Sequence, residues 1–118
     1  MRKIFYFLLL LIIGSCNFID NEIRVSIINN SDKTIKNVKC YTSEKKEGLT
    51  FASLKPSDKI DDFLSMNGNK TDGHYILEYT NEKGETIKHT NGYYTNGKSL
   101  NNRIIFEIQN DTVIYSTK

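Results

Sequence analysis

His74-Tyr75-Ile76-Leu77-Glu78-Tyr79-Thr80, followed by Asn81-Glu82-Lys83-Gly84 and then Glu85-Thr86-Ile87-Lys88-His89-Thr90, carries the clearest structural pattern in the chain. Two runs rich in β-branched and aromatic residues flank a short polar connection that ends in glycine, the pattern of a β-hairpin. Alternate side chains of a strand share a face, so Tyr75, Leu77 and Tyr79 are expected on one side. His74 and His89 are candidates to pair across this ladder. With no cysteine or carboxylate at metal-ligand spacing around them, they read as surface histidines, and neither a metal nor a cofactor is expected.

The same period of two recurs on both sides. Upstream, Glu22-Ile23-Arg24-Val25-Ser26-Ile27 alternates polar with β-branched residues, and Asn29-Asn30-Ser31-Asp32-Lys33 is a turn whose side chains can bond their own backbone. Thr34 to Thr42 is a second strand with Val38, Cys40 and Thr42 on one face. Ile35 is out of phase with them, which predicts a bulge near Lys36-Asn37. Ser43 to Gly48 is a charged, solvated connection, Leu49 to Leu54 a short strand, and Lys59 to Met66 another, whose Asp61-Asp62 pair suggests a sheet edge. Asn67 to Gly73 is rich in oxygen-bearing side chains, but it carries one carboxylate and its glycine falls a residue late for a calcium loop, so it reads as a turn. Downstream, Arg103 to Gln109 and Thr112 to Tyr115 form a last hairpin around Asn110-Asp111.

These are about eight short β runs with polar turns between them and no helical periodicity, which predicts an all-β sandwich of about seven to eight strands. Val25, Ile27, Val38, Phe51, Leu77 and Phe106 are the expected inward residues. Thr90-Asn91-Gly92-Tyr93-Tyr94-Thr95-Asn96-Gly97-Lys98-Ser99 repeats Thr-Asn-Gly around a tyrosine pair and reads as a loop. Amides that both donate and accept, beside rigid amphipathic rings, make Asn91, Tyr93, Tyr94 and Asn96 the candidate contact surface. The competing reading is that one tyrosine fills the core while the other covers a loop. A hydrolase would need nucleophile, base and orienting group together; His74 or His89 with Asp72 or Ser65 are the residues available, and their spacing does not foretell convergence. The chain is therefore read as non-enzymatic.

The amino terminus carries the other signal. Arg2 and Lys3 precede an unbroken apolar run, Ile4 to Ile13, of ten residues, which suits a secretory signal helix and is too short to span a bilayer. The run stops at Gly14-Ser15-Cys16. Removing Met1 to Ser15 takes away two of the 16 basic side chains and leaves 14 of each sign, a neutral chain with no footprint for nucleic acid. Only Cys16 and Cys40 are present, and Cys40 reads as a small buried hydrophobe.

Ile13-Gly14-Ser15-Cys16 resembles the bacterial lipobox. The resemblance implies cleavage before Cys16, a diacylglycerol on its sulfur and an acylated amino group, hence a membrane partner through lipid. It divides the chain into a lipoprotein signal peptide at 1–15, lipidated cysteine and tether at 16–21, and the sandwich domain at 22–118. Asn17, where some Gram-negative lipoproteins carry an aspartate that retains them in the inner membrane, implies the outer membrane of the cell envelope. Asn29-Asn30-Ser31 through Val38, with Leu54-Lys55-Pro56-Ser57-Asp58-Lys59, resembles bacterial immunoglobulin-like extracytoplasmic domains, including the FxLYD type, and departs from that type after Val38. It implies an Ig-like antiparallel sandwich and no functional residue. Asp111-Thr112-Val113 resembles a short O-glycosylation site of some Gram-negative envelope proteins, implying a glycan on Thr112. Together these imply a lipid-anchored binding or assembly module with an envelope protein or glycan as partner, the alternative being an accessory lipoprotein.

Overall fold

The computed structural model describes residues 21–118; the expected signal helix, the expected cleavage position and Cys16 lie outside the described residues. Nine strands follow one another: β1 (Glu22–Asn29), β2 (Ile35–Thr42), β3 (Leu49–Leu54), β4 (Lys59–Ser65), β5 (Gly73–Thr80), β6 (Thr86–Thr95), β7 (Lys98–Ser99), β8 (Arg103–Ile108) and β9 (Val113–Thr117). They form two sheets, ordered β4-β1-β8-β9 and β3-β2-β5-β6-β7, packed as a β-sandwich. The strand beyond the seven or eight expected is the two-residue β7.

The expected hairpin is present as β5 and β6, with Tyr79 opposite Ile87 and Thr80 opposite Thr86. Tyr75, Leu77 and Tyr79 are all buried on its inner face. The bulge expected from Ile35 lies where its phase error put it. The β2–β5 register slips between Lys36 and Lys39, and Asn37 sits at φ 50°. One extra residue there turns both Ile35 and Val38 inward.

Val25, Ile27, Val38, Leu77 and Phe106 are fully buried as expected, joined by Ile23, Cys40, Leu64, Met66, Ile104 and Ile108. Burying each large apolar side chain contributes roughly 1.5–3 kcal/mol. Phe51 is only half-buried, because β3 is an edge strand with a neighbour on one side. The Cys40 thiol is enclosed in this core, and burial pushes its pKa up to about 12, so it is held as an inert thiol. Asp61-Asp62 does mark an edge, that of β4, where Asp61 takes a forked pair of hydrogen bonds from Arg24 at 2.8 and 2.9 Å and a third from Arg103 at 3.2 Å.

Two expectations are corrected. The sheets are not wholly antiparallel: β1 pairs with β8 in parallel, Arg24 opposite Arg103 through Asn29 opposite Ile108. Alternation carries no strand direction, and a parallel pair needs a long crossover, here β2 to β7, which visits the second sheet twice with β4 between. The stretch 90–99 is not a loop, since β6 runs on to Thr95 and a tight turn at Asn96-Gly97 returns it as β7.

Candidate functional site

The reason β6 continues is Gly92. From Gly73 to Tyr75 β5 advances two residues, while β6 advances three, from Asn91 to Tyr94, and Gly92 takes up the extra residue at φ 76°. A glycine-centred bulge reverses the alternation beyond it. Tyr94 therefore turns fully into the core, packed at 5.5 Å between ring centroids on Tyr75, while Tyr93 turns out and stays 44% exposed. This removes Tyr94 from any contact surface and leaves Asn91, half-buried, with Tyr93 and Asn96 exposed.

Much of that surface is committed to holding one end of the sandwich together. Asp72 accepts from the Tyr93 hydroxyl at 2.9 Å and from the Asn96 amide at 3.0 Å. The Gly97 amide donates to the Thr71 carbonyl at 2.8 Å, and Asn21 donates to the Gly97 carbonyl at 3.1 Å. Glu44, from the stretch expected to be merely solvated, accepts from the Tyr94 hydroxyl at 2.7 Å, the amides of Lys70 and Thr71 at 3.1 and 3.0 Å, and the Thr71 hydroxyl at 2.9 Å.

Those donors, the Tyr94 hydroxyl foremost, hold the Glu44 carboxyl down at about 2 against its usual 4.5. A depressed carboxyl contributes stability above its unfolded value and loses it as pH falls toward the folded one. Acid unfolding should thus show a component between pH 4.5 and about 2 that Glu44→Gln flattens; pH-dependent urea midpoints of the two proteins check this. Identical slopes would mean that Glu44 is not the latch.

The histidines do not meet. His89 lies opposite Leu77, whereas the His74 Nδ1–H donates to the Gly92 carbonyl at 2.7 Å, so the candidate cross-ladder pair does not form. The Ser65 hydroxyl oxygen accepts from the Asn67 amide at 3.3 Å, and both Asp72 oxygens are occupied as described. Nucleophile, base and orienting acid are not assembled from these residues. Among the described residues there is also no group of three histidine, cysteine or acidic side chains placed to hold a metal.

The opposite end of the sandwich holds a cleft of about 510 Å³ between the β1–β2, β5–β6 and β8–β9 turns. Its floor is apolar, made by Ile35, Ile108 and Tyr79, all buried, with half-buried Ile87 beside them. Burial raises the Tyr79 hydroxyl above its ordinary pKa, so it stays a protonated donor. His89 and Gln109 reach the cleft, while the turns are braced by Asn110, which accepts from the Asp32 amide at 2.8 Å and donates to the Asp32 carboxylate at 3.1 Å. The charged rim mixes Asp32, Glu82 and Asp111 with Lys33 and Lys83, so neither sign dominates. Thr112 is exposed on this rim. Sequence reasoning missed the cleft because its walls come from three turns far apart in the chain.

No protein-family model and no curated protein matches the chain. Among solved structures, an NMR structure of a protein from Eubacterium rectale is similar, with a TM-score of 0.58 at 15% identity over 87% of this chain and 94% of that one. At that identity the likeness speaks for the fold alone.

Proposed function

We propose that this chain is a non-enzymatic lipoprotein of the bacterial cell envelope, held at the outer membrane through a lipid on Cys16, whose far-end cleft receives an envelope protein or glycan. The observation that carries the reading is the separation of the two ends. β1 starts at Glu22 and ends at Asn29, beside the turn that lines the cleft. Eight residues at about 3.3 Å each hold the cleft roughly 26 Å from the entry of the chain. A module tethered through residues 16–21 would therefore present the cleft away from the bilayer.

The chemistry of the cleft supports a ligand. Its volume falls within the range of roughly 300–1,000 Å³ usual for binding sites, and its apolar floor lies under walls that are mostly polar, which suits a ligand with one apolar face and many hydrogen-bonding groups. What supports the lipid is the leader itself: Arg2 and Lys3, the short apolar run, and Ile13-Gly14-Ser15-Cys16. The immunoglobulin-like reading draws on two packed sheets between which the chain passes four times, although β1 lies inside its sheet instead of at an edge. Exposure of Thr112 on the rim suits a glycan attached there.

A photo-crosslinking residue placed at Gln109 in intact cells tests the binding role, with Lys46 at the other end as control. A discrete adduct from position 109, absent from 46, is the expected result. No adduct from either position would favour an accessory lipoprotein without a partner.

A further inference from the structure

Four large hydrophobic side chains stand out from the described surface: Leu100 at 61% exposure, Phe63 at 51%, Ile114 at 45% and Tyr93 at 44%. Single exposed apolar residues need no explanation, but their distribution here is uneven. Phe63 pairs with Arg24, two residues into β1. Leu100 lies between β7 and β8, next to Asn102, whose carbonyl accepts from the Arg24 amide at 3.3 Å. Tyr93 bonds Asp72 beside the turn that Gly97 closes with Asn21. Three of the four thus surround the end where the chain enters the domain, on both outer faces and in the connection between the sheets; Ile114 is near the other end, opposite Glu107.

We infer that this end of the sandwich rests on the bilayer, with Phe63, Tyr93 and Leu100 set into the lipid interface around the anchor. The inference rests on the lipid at Cys16 proposed above. Five residues, 17–21, separate the lipid-bearing Cys16 from β1 at Glu22, and the six fully extended steps between them reach at most about 20 Å. The entry end is thereby confined to the membrane surface. Tyrosine suits that depth because its ring is apolar and its hydroxyl stays wet.

Charge at this end is compatible with a lipid surface. Glu44 and Asp72 are occupied by hydroxyls and backbone amides, exposed Glu22, Glu47 and Asp62 form no ion pair among the described residues, and neither do exposed Lys70 and Lys98. The two lysines flank Gly97 and would lie at the level of anionic headgroups.

The chain contains no tryptophan, so a single one reports cleanly. Full-length lipidated protein carrying Phe63→Trp, Tyr93→Trp, Leu100→Trp or Ile114→Trp is reconstituted in phosphatidylethanolamine and phosphatidylglycerol vesicles with brominated acyl chains. Emission from positions 63, 93 and 100 is expected to fall about twofold or more, with position 114 unchanged, as for rings at the interface. Flotation with the vesicles without selective quenching at 63, 93 and 100 would overturn the docked orientation while leaving the anchor standing. Failure to float would overturn both.

Discussion

Tyr94→Ala is expected to cost about 3–5 kcal/mol of folding stability, the range for emptying the site of a buried aromatic side chain. Tyr94 is fully buried, packs at a tilt against Tyr75 and donates to Glu44, so its removal leaves a cavity and a carboxylate short of one donor. Against a net stability of about 5–15 kcal/mol such a loss is a large fraction of the whole. Tyr93→Ala, one residue away, should cost under about 1 kcal/mol, since that ring is 44% exposed. Urea denaturation of the two variants measures the difference. Equal losses would mean that the Gly92 bulge does not sort the tyrosines as described.

Gly97→Ala should be nearly as damaging, for a backbone reason. Gly97 is buried at φ 73°, and a methyl group there would fall inside the backbone carbonyl of Asn69. A left-handed residue costs an alanine about 1–2 kcal/mol, and forcing apart packed backbone adds roughly 1–3 more. Gly84→Ala is the control, because Gly84 has a similar φ of 78° with nothing within 4 Å of the added carbon. In a domain of this size each kcal/mol moves the thermal midpoint by about 4–8 °C. The drop for Gly97→Ala should exceed that for Gly84→Ala by at least one such step. Matching midpoints would show that the 96–97 turn is free to move away from Asn69.

What could be read from the sequence was what depends on neighbours along the chain. The β5–β6 hairpin, the buried row Tyr75, Leu77 and Tyr79, and even the β2 bulge followed from alternation, the last because Ile35 broke step with Val38. The second bulge went unread because Gly92 lies in a Thr-Asn-Gly repeat that looks like a loop, although a glycine between two alternating runs can mark a bulge as well as a turn. A tyrosine pair implies that one ring fills the core and the other stays outside, but which ring goes in depends on that one extra residue.

Contacts between distant segments left no mark. Glu44 looked like one more charge in a solvated run, and only the fold brings it to the amides of Lys70 and Thr71 and the hydroxyl of Tyr94. The parallel β1–β8 pair and the cleft have the same origin, since the first joins Arg24 to Arg103 and the second joins turns near Asp32, Glu82 and Asn110, segments that share no local pattern. The composition at 91–96 suits a contact surface, and the fold spends most of it on closing one end of the sandwich.

Intact-mass analysis of the protein extracted from cell membranes asks the decisive question. A chain that begins at Cys16 and carries a diacylglycerol and an amide-linked acyl group is the result expected here, with Cys16→Ser remaining at precursor mass. Any glycan on Thr112 would appear as a further discrete increment. A mature chain with an unmodified Cys16, or wild type and Cys16→Ser processed to the same polypeptide, would contradict the lipid anchor and the orientation of the cleft that follows from it.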